Sequence, residues 1–131
     1  MSANPQAIRA FGAAHRYYQG PGALGLVGDV VSRLGRRPVL VCDAIVADLL
    51  RPAVDAACGV RDMAVPWIEV RGDVTRAMVQ GLVQQARSTD APDVVLAAGG
   101  GKGVDAGKAV SRELGARLVV LPTSASNDGP C

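Results

Sequence analysis

The residues best suited to chemistry lie in one short segment, Leu96 to Lys108, reading LAAGGGKGVDAGK. An apolar, strand-like run leads straight into Gly99, Gly100 and Gly101, and the spacing predicts a helix beginning near Lys102 or Gly103. Glycines let a backbone pass close to a bulky ligand and take a positive φ where a turn needs one. The first turn of a helix offers unpaired N–H groups and a partial positive charge to an anion. Ligands of open α/β sheets sit at the carboxyl ends of strands, where this loop falls. A pyrophosphate suits such a loop. Lys102 and Lys108, the only lysines of the chain, both belong to it. The plain alternative is a glycine turn with no ligand, but three glycines in a row before a helix carry a chain-entropy cost.

Two nucleotide motifs come close. A P-loop needs G-x-x-x-x-G-K-[ST]. Here five residues separate Gly101 from Gly107, and Ala109 stands where a hydroxyl should bind Mg²⁺, so a P-loop is rejected. Gly101, Gly103 and Ala106 fit the looser G-x-G-x-x-A dinucleotide fingerprint. That fingerprint belongs to a first βα unit with an acidic residue about 20 positions later, and this loop comes late in the chain.

The elements that position the loop follow from periodicity. Residues 1–15 show little pattern and read as a poorly ordered start. Arg16 to Gln19 has strand character and ends at the turn Gly20-Pro21-Gly22. Val27, Val30, Val31 and Leu34 recur at helical spacing, with Gly35 as the stop. Pro38 to Cys42 is a short apolar run ending at Asp43, the pattern of a buried parallel strand. A second helix follows on Ile45, Val46, Leu49, Leu50, Ala53, Val54 and Ala57, where Pro52 predicts a kink or an early break. Val65 to Val70 is the next strand, and Asp73 or Thr75 caps a helix facing inward through Met78, Val79, Leu82, Val83 and Ala86. Asp93 to Ala98, Val104 to Leu114 and Leu118 to Leu121 complete a strand, helix, strand series. The fold class is therefore α/β: an open, mainly parallel sheet with helices on both faces.

At 131 residues the chain fits one domain and not two. Its net charge of +2 includes no basic block, which argues against nucleic acid. No apolar stretch approaches the ~20 residues of a membrane span, and no signal peptide is visible, so a cytoplasmic location is expected. A single histidine, His15, cannot build a histidine metal site. It reads as a surface residue. Cys42, Cys58 and Cys131 have no CxxC spacing and read as reduced thiols. Trp67 reads as core or subunit contact, and one of Tyr17 and Tyr18 packs while the other is exposed.

The residues also carry a family resemblance. GGGKGVDAGKAV, followed by LVVLPTSASNDGPC, resembles the glycerol dehydrogenase branch of the iron-containing alcohol dehydrogenase superfamily, with its GGGKxxDxAK-like loop and PTxASxDAPCS-like segment. RYYQGPGAL and VLVCDAIV are similar to that family's entry strand and turn and to its next strand, in the same order. The match runs from about Arg16 to Cys131. It implies the N-terminal domain of a dehydroquinate-synthase-like fold, with residues 16–131 as an NAD-binding domain. By resemblance, Gly99, Gly100, Gly101 and Lys102 would cradle the NAD pyrophosphate. Asp43 would accept from the adenine ribose hydroxyls, favouring NAD over NADP, and Thr123 would line the cofactor site. Asp128 would hydrogen-bond a polyol substrate. Asp105 would either touch ligand or act as a first-turn charge partner. The family's divalent metal, Zn or Fe, is held by an Asp and two His of a helical C-terminal domain, so this chain is expected to stop near the interdomain junction. No catalytic residue and no metal ligand is expected within it. As a fragment it is expected to be inactive, and the full-length protein to be a homo-oligomer.

Three departures bear on this. Gly103 replaces the family's Thr, Gly107 replaces an Ala inside the helix, and Asn127-Asp128-Gly129 replaces Thr-Asp-Ala. The last is similar to sn-glycerol-1-phosphate dehydrogenases, a second reading for the substrate. A dehydroquinate-synthase-like lyase fits the loops less well. A non-catalytic nucleotide-binding module is the reading from a different class.

Overall fold

The computed structural model describes residues 9–11, 17–19 and 23–122. Two short strands, β1 (Arg9–Phe11) and β2 (Tyr17–Gln19), pair antiparallel. A 3-10 turn (Ala23–Leu26) leads into α1 (Val27–Leu34), β3 (Pro38–Asp43), α2 (Ala44–Gly59) and β4 (Trp67–Val70). Then follow α3 (Arg76–Arg87), β5 (Val94–Gly99), α4 (Gly101–Leu114) and β6 (Arg117–Pro122). β1 falls inside the stretch expected to be poorly ordered. Three residues are too few to show an alternation, and it is pairing with β2 that makes them a strand. His15 and the two tyrosine side chains lie outside what is described.

The main sheet has four strands in the order β4-β3-β5-β6, every pair parallel. β5 is buried along its whole length and β3 from Pro38 to Cys42, so both central strands are apolar throughout. Edge strand β4 alternates, with Ile68 and Val70 buried and Trp67 and Glu69 half-buried. Leu40, Cys42, Val94, Leu96 and Ala98 face one layer, built by Val27 and Val31 of α1 with Ala47, Leu50, Val54 and Cys58 of α2. Val39, Val41, Ile68, Val70 and Val95 face the other, built by Leu82, Val83 and Ala86 of α3 with Ala106 and Val110 of α4. Each buried Leu or Val contributes roughly 1.5–3 kcal/mol relative to exposure. Helices thus cover both faces.

Several helix boundaries are set locally. Thr75, not Asp73, caps α3, its Oγ1 accepting from Met78 N at 3.1 Å. Gly115 closes α4 with φ +67, the left-handed turn that glycine takes without a Cβ penalty. Pro52 does not interrupt α2, which runs unbroken from Ala44 to Gly59. Pro52 and Asp48 are both exposed, so water can serve the carbonyl that the missing N–H leaves free.

At the opposite, amino end of the sheet, Asp93 ties the layers together. Its carboxylate accepts from Arg36 N at 3.1 Å and Arg37 N at 2.8 Å. Burial works to raise this carboxyl, but the backbone N–H groups of Arg37 and Arg36 and the Arg37 guanidinium outweigh it and hold it below its ordinary value. A side chain at Gly35 would run into the same carboxylate.

Candidate functional site

β3 and β5 are neighbours, yet the helices that follow them go to opposite faces, α2 with α1 and α4 with α3. Such a switch point opens a crevice at the carboxyl ends of the two strands, the usual ligand position in an open α/β sheet. Asp43 ends β3 and Gly99 ends β5, so the residues the sequence singled out meet there.

Gly99 has φ +113, a conformation that L side chains rarely adopt. A Cβ on it would also lie 2.8 Å from the Asp43 Cβ and 3.2 Å from the Asp43 N. The glycine therefore lets the β5 terminus turn while pressed against the β3 terminus. Gly100 and Gly101 differ: neither has a positive φ, and a Cβ on either would meet nothing within 4 Å. Nothing among the described residues requires glycine at these two positions.

The helix of the loop starts at Gly101, slightly earlier than its sequence suggests, with Gly100 as N-cap. Three helices begin at this edge of the sheet, and two carry a side-chain cap: Thr75 on α3, and Asp43 on α2, where Oδ1 accepts from Ile45 N at 3.3 Å. α4 has none, and its first turn holds no acidic residue. The first-turn N–H groups of a helix have no intrahelical acceptor, so those of Gly101, Lys102 and Gly103 are left for an external one. An anion fits that need.

Gly103 and Gly107 seat this helix. A Cβ on Gly103 would collide with the Ala98 carbonyl oxygen and lie 2.9 Å from Asp43 N, and one on Gly107 would collide with the Ala97 side chain. The two glycines that depart from the family pattern thus let α4 pack directly on β5. Their poor helix propensity is offset by close packing. Lys102 is exposed, and its Nζ lies 3.4 Å from Asp73 Oδ1, across from the β4–α3 loop. Sequence reasoning considered Asp73 only as a cap; its position beside Lys102 depends on strand order. Asp105 is the fifth residue of α4 and exposed, so it is not a first-turn charge partner.

Asp43 is half-buried at the carboxyl end of β3, and its carboxylate caps α2. Cys42 beside it is fully buried, and burial, with the charges of Asp43 and Glu69, pushes its thiol up to about 11. Burial raises the Cys58 thiol too, and both cysteines are free. They are packing residues rather than nucleophiles. Pro122 pairs in register with Gly99, so the chain leaves β6 beside the glycine loop. Thr123 and Asp128, and Cys131 with them, lie outside the described residues. Among the described residues no three His, Cys, Asp or Glu side chains cluster as a metal site requires. No helix among them is long and apolar enough to cross a membrane.

A sequence profile described as iron-containing alcohol dehydrogenase matches residues 14–131. The chain is 31% identical over 120 residues to a glycolaldehyde reductase of Halobacterium salinarum, covering 92% of this chain and 33% of that protein. It is 34% identical over 118 residues to a glycerol dehydrogenase of Thermotoga maritima, covering 88% and 31%. The chain therefore spans about a third of the length of these relatives. Its fold superposes on the glycerol dehydrogenase of Schizosaccharomyces pombe with a TM-score of 0.69 at 19% identity, over 76% of this chain and 25% of that one. The profile match over most of the chain and these relatives show that this chain belongs to the iron-containing alcohol dehydrogenase family.

Proposed function

We propose that this chain is the NAD-binding portion of a polyol dehydrogenase that oxidises glycerol or a similar vicinal diol. The observation that carries the reading is the start of α4. It is the one helix of the three at this edge with no side-chain cap, it begins on glycines that no described residue needs, and it starts beside Asp43 at the end of the neighbouring strand. The pyrophosphate would accept from the N–H groups of Gly101, Lys102 and Gly103, with Lys102 adding charge. Asp43 would accept from the adenine ribose hydroxyls, and its negative charge disfavours a 2′-phosphate, hence NAD over NADP. NAD supplies the hydride acceptor; the residues of this chain bind and orient it. Thr123 is proposed to line the same site and Asp128 to orient the diol.

The described residues do not fit a metal, so no step is assigned to one here. The Zn or Fe of the family is proposed to be held by a further domain of a longer polypeptide. The protein is proposed to be cytoplasmic, without nucleic-acid or membrane partners. The Asn127-Asp128-Gly129 sequence favours a second reading for the substrate, sn-glycerol 1-phosphate.

Calorimetric titration of the chain with NAD⁺, NADP⁺ and ADP-ribose tests the cofactor. Binding of NAD⁺ and ADP-ribose with weaker NADP⁺ is expected. Tighter NADP⁺ than NAD⁺ would refute the role of Asp43, and binding of neither would refute the site.

A further inference from the structure

The carboxyl end of β4 carries a cation that plays no part in the proposed nucleotide site. Strand order sets what it lies beside. In the order β4-β3-β5-β6, β5 leads into the glycine loop, β3 ends at Asp43 and β4 is the next strand outward. Asp43 pairs in register with Val70, so Arg71 is the first residue past that pair. Neighbouring strands lie about 4.8 Å apart, which leaves the end of β3 within reach of an arginine side chain at the end of β4.

Arg71 is exposed, but its guanidinium is engaged: Nη2 donates to Glu69 Oε1 at 2.6 Å. Glu69 is half-buried and pairs in register with Cys42. Along β4, Ile68 and Val70 enter the layer of α3 and α4, while Trp67 packs against the layer of α1 and α2. Glu69, two residues after Trp67, shares the α2 side, and the ion pair keeps Arg71 turned back along its own strand. Gly72 then bends the chain with φ +83, and Asp73 beyond it reaches Lys102 instead.

The position of the adenosine rests on the proposed nucleotide reading. A pyrophosphate at the first turn of α4 and a ribose at Asp43 run outward from β5 to β3, so the ribose has the end of β4 beside it. We propose that Glu69 and Arg71 are specificity-determining residues for this ribose: Glu69 holds the Arg71 guanidinium away from the 2′ position, and a released Arg71 would pair with a 2′-phosphate. Discrimination against NADP then has two parts. Asp43 repels the phosphate, and Glu69 withholds the cation that would attract it. Arginine suits the second part because its planar fork binds carboxylate and phosphate alike. Loss of Asp43 alone relaxes the selectivity; loss of both carboxylates reverses it.

Calorimetric titration with NAD⁺ and NADP⁺ tests this in the Asp43→Asn background, where the α2 cap is kept. Adding Glu69→Gln should tighten NADP⁺ at least ~10-fold over Asp43→Asn alone and leave NAD⁺ within about twofold. Adding Arg71→Ala as well should cancel the gain, whereas Arg71→Ala with Glu69 in place should change NADP⁺ binding by less than about twofold. A merely structural Glu69 would move both cofactors together. The gain should also shrink with added salt, because it comes from a charge pair at an exposed site. Glu69→Thr, a good strand former, is a second way to release Arg71, and circular dichroism checks each fold. Equal gains for both cofactors, no NADP⁺ gain in either release variant, a gain that survives Arg71→Ala, or a loss on Arg71→Ala with Glu69 present overturns the proposal and leaves nucleotide binding intact. A parent chain that binds neither cofactor overturns the nucleotide reading and this proposal with it.

Discussion

Gly99 and Gly101 stand two residues apart in one loop, yet their substitutions should have opposite consequences. Gly99 is constrained by the protein itself. Its φ of +113 is unfavourable for any side chain, and an added Cβ would lie 2.8 Å from the Asp43 Cβ. Strain of this kind costs about 1–3 kcal/mol, and forcing apart two packed strand ends adds about as much again. Gly99→Ala should therefore lose roughly 2–5 kcal/mol, a large part of the 5–15 kcal/mol that holds a domain together. Gly101 is free of both constraints. Valine is no worse than glycine in a helix, so Gly101→Val should change stability by no more than about 0.5 kcal/mol. Its side chain would stand beside the first-turn N–H groups, where the pyrophosphate is proposed to lie, and ADP-ribose affinity should fall at least ~100-fold, the equivalent of about 2.7 kcal/mol. Urea unfolding followed by circular dichroism reads the first quantity, and calorimetry reads the second. A Gly101→Val chain that binds ADP-ribose like its parent would refute the placement of the anion, whatever Gly99→Ala does. A Gly99→Ala chain of parental stability would refute the account of the loop's backbone.

Asp43→Asn should separate the two tasks of that residue. Asparagine caps a helix as well as aspartate, so unfolding should move by less than ~0.5 kcal/mol, while loss of charge narrows the ratio of NAD⁺ to NADP⁺ affinity in calorimetric titration. Asp93 is held below its ordinary pKa in the folded chain, so it contributes stability above the ordinary carboxylate range that is lost as pH falls through its folded value. Asp93→Asn should lose about 1–2 kcal/mol at neutral pH and show a shallower fall in urea midpoint between pH 5 and pH 3 than the parent. The chain alone should produce no measurable NADH from glycerol, with or without Zn²⁺ or Fe²⁺, because the described residues offer no ligand set to polarise a hydroxyl. Robust turnover in a spectrophotometric assay would show that the active site has been placed wrongly.

Much of the fold is legible in the sequence because buried parallel strands and amphipathic helices write their periods into it. Val94 to Ala98 is apolar on both faces, and only a central strand needs that. The βα turn is legible for a related reason: a run of three glycines after an apolar strand marks a place where the backbone must turn tightly, as Gly99 does. Other features depend on tertiary structure. The strand order β4-β3-β5-β6 is not written in any local pattern, and it alone brings Asp43 to Gly99 across 56 positions of sequence. The three glycines look equivalent on paper, but only Gly99 needs its missing Cβ, because only Gly99 abuts a neighbouring strand end. Gly107 reads as a defect in a helix until Ala97 is seen to lie beneath it. The exposure of Ile45 and Leu49 on α2 was hidden by the same limit. Periodicity shows that Ile45, Leu49 and Ala53 can share a helical face with core residues, but which apolar residues the sheet covers is decided by the angle at which the helix packs.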